Sequence, residues 1–80
     1  MSNEQNVAKL VRLINVSISS LTKSRVHTAN VVLDNGMTDD DANDAITTCK
    51  DKLTAANITA DLVEELRNGE LKKVIKLKKK

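Results

Sequence analysis

The chain is punctuated at only two places. It has no proline, and its two glycines, Gly36 and Gly69, stand far apart in 80 residues. Small strand-rich domains need a turn residue every few positions, so sparse punctuation predicts a few helices joined by short breaks. The expected fold class is therefore all-α, a small compact bundle of four to five short helices in one domain. Residues 1–69 would form the bundle, and residues 70–80 a lysine-rich C-terminal helix or tail.

Helix signals can be placed along the chain. Asn3 caps a first helix, with Glu4 in its first turn where a negative charge suits the dipole. Val7, Leu10, Val11, Ile14, Ile18 and Leu21 then fall within an arc of about 100°. Leu13 and Val16 stand outside that stripe, among Lys9, Arg12 and Ser20. Two readings apply: ordinary surface apolars or burial under a neighbour, against a second contact surface for a dimer mate or partner. Thr22-Lys23-Ser24-Arg25 reads as a break. Residues 26–35 fit a short helix through Val26, Ala29, Val32 and Leu33, or a strand by their valine content. Gly36 suits the left-handed residue that ends a helix.

Thr38 followed by Asp39, Asp40 and Asp41 is a helix start, and Ala42, Ala45, Ile46, Cys49, Leu53 and Ala56 form one narrow stripe behind it. Thr59 would cap a fourth helix, with Leu62, Val63 and Leu66 inward and Asn68-Gly69 closing it. Leu71, Val74 and Ile75 would then carry a last helical stretch. Leu33, Gly36, Met37, Ala42, Ala45 and Ile46, then Asn57 through Leu66, resemble the pattern of ubiquitin-associated-type three-helix domains over less than half the chain. That resemblance implies a glycine-containing loop as a binding patch, and it stays at the level of fold analogy.

The core is free of rings and mostly aliphatic, because the chain lacks Phe, Trp and Tyr. Each ring would bury about 150–250 Å², so an aliphatic core of this size supports a marginal monomer or one that gains stability by pairing. One cysteine cannot form an internal disulfide. No basic start with an apolar core opens the chain, and the longest apolar run is Val31-Val32-Leu33, so neither a leader nor a membrane span is expected. The expected location is cytoplasmic. Asn15-Val16-Ser17 and Asn57-Ile58-Thr59 then match the glycosylation pattern by chance.

Charge is segregated behind a formal net of +2. Residues 1–33 carry one acid against four basic residues, residues 34–65 nine acids against Lys50 and Lys52, and residues 70–80 six lysines against Glu70. The acidic centre and the basic end can attract each other within a molecule or between copies. Lys72, Lys73, Lys76, Lys78, Lys79 and Lys80 are candidate phosphate contacts, each displacing about one counterion from a nucleic acid. They equally suit a helix C-terminus and solubility. Lysine favours phosphate contact over base reading, and the absence of rings excludes base stacking. A helix-turn-helix over 59–68 and 70–80 leaves few side chains for bases.

Catalytic and metal patterns fail on inspection. Ser20-Leu21-Thr22-Lys23 fits a serine acyltransfer motif without any companion motif. His27 and Cys49 are single, too few for a zinc site, and Cys49 sits in the apolar stripe. A calcium loop from Asp39 has Asp44 where glycine is needed and Lys50 where the bidentate Glu belongs. The expected function is a non-enzymatic adaptor or inhibitor, needing no cofactor or metal. It would act through another protein, with Arg12, Leu13 and Val16 as candidate contacts and a homodimer as a further option. The alternative is a nucleic-acid-binding or nucleoprotein-regulating module using the basic end; no membrane partner is expected.

Overall fold

The computed structural model describes residues 2–80 and is mixed α/β, which corrects the all-α bundle. The order is α1 (Glu4–Lys23), β1 (Thr28–Val32), α2 (Asp39–Thr48), α3 (Lys50–Ala55), β2 (Ile58–Arg67) and β3 (Glu70–Lys79). The strands form one antiparallel sheet in the order β1-β3-β2. The stretch expected as a C-terminal helix or tail is thus the central strand.

The physical reason for the correction lies in the β2–β3 hairpin. Asn68 and Gly69 both have positive φ, 52° and 79°. Two consecutive left-handed residues make the turn whose twist matches paired strands, and Asn-Gly is its preferred sequence. Across the hairpin, Asp61 stands opposite Lys76, Glu64 opposite Lys73, Glu65 opposite Lys72 and Arg67 opposite Glu70. Every opposed pair of charged residues joins unlike charges, each worth about 0.2–1 kcal/mol relative to neutral neighbours. A one-residue slip would lose this match and flip the apolar set to the other face. Helical spacing at Leu62, Val63 and Leu66 is real, but pairing overrides it. The likeness to ubiquitin-associated-type domains lapses here too, since its last segment is β2. So does the helix-turn-helix over 59–80.

The open question over residues 26–35 resolves as the strand β1. Gly36, at φ +90°, lies in the loop after β1 instead of ending a helix. The stripe from Ala42 to Leu53 is buried, with Ala42, Ala45, Cys49 and Leu53 at 5% exposure or less. Its helix is interrupted at Cys49, whose N–H is shared between the Ala45 and Ile46 carbonyls (3.1 and 3.2 Å). Asn57, at φ 56°, turns the chain from α3 into β2.

The helices cover one face of the sheet. Leu10, Ile14 and Leu21 of α1, the α2–α3 stripe, and Val31, Leu33, Ile58, Ile75 and Leu77 form the core. α1 packs on α2 and over β1, whereas α2 and α3 contact β2. On the open face, Val74 sits between Val32 and Val63 and is fully buried by its neighbours.

The two expected helix starts also pin the helices together. Thr38 and Asp41 form a capping box. Within that box the Asp41 carboxylate accepts from Thr38 N–H (2.9 Å), and it accepts besides from Asn3 N–H (2.7 Å) and Asn6 Nδ2 (2.9 Å). Asp41 is the one buried charged residue among those described, and these donors hold its carboxyl below the usual range. One side chain thereby fixes the N-termini of α1 and α2 beside each other.

Candidate protein-interaction surface

Helical geometry sorts the residues of α1 by flank. Leu10, Ile14 and Leu21 point into the core, while Val7 and Val11 lean toward α2. Between these and α2 runs an open groove of about 560 Å³ that includes Thr47 and Thr48. Lys9, Leu13 and Val16 share the opposite flank, because steps of four and three residues return close to one line. The Lys9 ammonium pairs with the Asp34 carboxylate, just after β1 ends. That contact lays the Leu13–Val16 flank along the β1 side of the molecule. Leu13 is 38% exposed and Val16 62%. Arg12, beside them, is exposed and forms no ion pair among the described residues.

The strand below that flank is an edge of the sheet. Leu33 N–H bonds to the Lys73 carbonyl and Lys79 N–H to the His27 carbonyl, both at 2.9 Å. Antiparallel alternation then directs the backbone groups of Ala29 and Val31 toward β3 and those of Thr28, Asn30 and Val32 outward. Val32 (37% exposed) and Val26 (56%) add apolar surface there. Leu13 and Val16 above the sheet and Val32 on its open face thus flank the β1 edge from its two faces, with Val26 just ahead of the strand. Four of the six exposed large apolar residues among those described lie on this side. The other two, Leu66 and Leu71, face each other at the hairpin tip, beyond the helical layer.

The six lysines do not form one patch. Lys72, Lys76 and Lys78 alternate with Lys73 and Lys79 on opposite faces of β3. Lys72 lies 3.3 Å from Glu70, Lys76 lies 2.5 Å from Glu65, and Lys73 pairs with Asp39. Lys76 holds the Glu65 carboxyl below its usual range, with Arg67 (3.1 Å) assisting; the Asp39 contact raises Lys73. Lys79 Nζ donates to the Ser24 carbonyl at 3.0 Å. Lys78 and Lys80 form no ion pair among the described residues.

Sequence reasoning singles out Arg12, Leu13 and Val16 as candidates but not the β1 edge beside them. The available signal was five uncharged residues rich in β-branched side chains, Thr28–Val32. Among the described residues, no group of three or more His, Cys, Asp or Glu is placed to hold a metal. Burial raises the Cys49 thiol pKa, which disfavours the thiolate that nucleophilic chemistry needs. No helix among the described residues is long and apolar enough to cross a membrane. Comparison of the chain with protein-family models, with curated proteins and with solved structures gave no match.

Proposed function

We propose that the protein is a non-enzymatic adaptor or inhibitor that acts by binding another protein through the β1 side of the fold. The observation that supports this reading is the adjacency of an unpaired strand edge and an exposed apolar helix flank. Main-chain groups of Thr28, Asn30 and Val32 supply hydrogen bonds for an added strand, and Leu13 and Val16 supply apolar area beside it. Arg12 rims the patch, where a charge tunes association rate more than affinity.

The nucleic-acid alternative is the weaker of the two. Three of the six C-terminal lysines are neutralised by acids of the same molecule. The α2–α3 pair exposes Asp39, Asp40, Asp44 and Asp51 against Lys50 and Lys52, so it lacks the basic face that groove binding needs.

The test is capture of binding partners from the native host with the wild type and with Leu13→Asp plus Val16→Asp. The double variant keeps its fold, checked by circular dichroism, and loses the partner. Equal capture by a folded double variant refutes the surface.

A further inference from the structure

We infer that the β1 edge takes a second copy of this chain, through antiparallel pairing of β1 with β1 about a two-fold axis at Asn30. The inference rests on the reading of the β1 side as the interaction surface and goes further: when no other protein holds that edge, a second copy covers it.

Register follows from the geometry. The outward backbone groups belong to Thr28, Asn30 and Val32. A two-fold at Asn30 sets Thr28 against Val32 of the other copy and Asn30 against its own counterpart. Each of these opposed pairs can exchange both main-chain hydrogen bonds, as the alternation requires. Directly opposed residues in antiparallel strands share a face. The pairing therefore keeps both helical layers on one side of a continuous six-stranded sheet. Because α1 lies over β1, the same operation brings the Leu13–Val16 flanks of the two helices toward each other across the axis.

The two edges of the sheet differ in charge. β1 reads Thr-Ala-Asn-Val-Val and carries none of the charges, prolines or bulges that usually protect an edge. Arg25 precedes it and Asp34 follows it, so antiparallel pairing brings the basic start of each strand near the acidic end of the other. The free edge of β2 behaves differently. Self-pairing centred on Val63 sets Asp61 against Glu65, and centring on Glu64 sets that carboxylate against itself. Like charges directly opposed are destabilising. A ring-free core gives each copy further reason to bury Leu13 and Val16.

The experiment is sedimentation velocity of the full chain over a concentration series, with Asn30→Lys, with Asn30→Asp, and with the two variants mixed. Asn30 is exposed and stands opposite Lys76 of β3, so Asn30→Lys adds a like-charged neighbour within the copy, and circular dichroism checks that each variant is folded. A reversible dimer is expected for the wild type, weakened roughly fivefold or more in each variant and restored on mixing, because the axis places residue 30 against itself. A wild type that stays monomeric at every concentration overturns the inference, as does a dimer that the variants leave unchanged or that mixing fails to restore. If the wild type is monomeric while Leu13→Asp plus Val16→Asp still abolishes partner capture, self-pairing fails and the surface stands. If the folded double variant also captures partners normally, both fail.

Discussion

Two leucines one turn apart on α1 provide a quantitative test of which side of that helix the fold uses. Leu10 is fully buried, and Leu13 is 38% exposed on the β1 flank. Leu10→Ala removes a side chain from a closed aliphatic cluster, losing transfer free energy and leaving a cavity, at a cost of about 3 kcal/mol within the usual 2–5. Leu13→Ala removes a partly hydrated side chain from an open surface that water can fill. Its cost is about 1 kcal/mol, most of it the buried fraction of a transfer worth about 1.5–3 kcal/mol. A chain of this length has a total of roughly 4–12 kcal/mol at 0.05–0.15 per residue, so Leu10→Ala takes a large share of it. Urea unfolding followed by circular dichroism reads both, at a protein concentration low enough that self-association adds nothing to stability. Leu10→Ala should lower the midpoint about three times as far as Leu13→Ala. Equal shifts, or a larger one for Leu13, would refute the assignment of the flanks.

Other perturbations follow from single contacts. Asp41 has a folded-state pKa below its unfolded value, so its contribution is present above the unfolded pKa near 4 and is lost as pH falls through the folded value. Urea midpoints measured down the acid range should fall for the wild type, and Asp41→Asn, already weakened at neutral pH, should fall less steeply. Gly69→Ala meets no atom within 4 Å of the new Cβ, so its cost is the left-handed backbone alone, about 1 kcal/mol by urea unfolding. A cost near zero would contradict the turn geometry. Duplex DNA and RNA binding, read by fluorescence anisotropy across a salt series, should be weak at physiological salt and change little with Lys78→Glu plus Lys80→Glu. Tight binding lost in that variant would favour the nucleic-acid reading. Ending the chain at Gly69 is not a usable control, since it deletes the central strand.

What could be read from the sequence was local. Asn3, Thr38 and the Asp39–Asp41 run announced two helix starts by side-chain chemistry confined to one turn. The stripes through Leu10 and Ile14 and through Ala42 and Leu53 announced their buried faces by periodicity. The hairpin mimics a helix locally, because Leu62, Val63 and Leu66 also satisfy helical spacing and Asn68-Gly69 suits both a helix end and a two-residue turn. Only pairing the acids of 61–65 with the lysines of 72–76 separates the alternatives, and that information lies in the relation between two segments. The charge segregation was visible, and attraction within the molecule was one of its readings. For the surface, Leu13 and Val16 were legible as residues that did not fit their helix. The β1 edge beside them was not, because an edge exists only once the strand order is known.

Amide hydrogen exchange of β1, followed residue by residue from dilute to concentrated protein, tests the use of the β1 edge by a second copy most directly. In dilute solution Ala29, Val31 and Leu33 should be protected by β3 while Thr28, Asn30 and Val32 exchange freely. On concentration, protection should appear at Thr28, Asn30 and Val32 and leave the β2 edge unchanged. Protection appearing at β2 instead, or nowhere, would contradict self-pairing through the β1 edge.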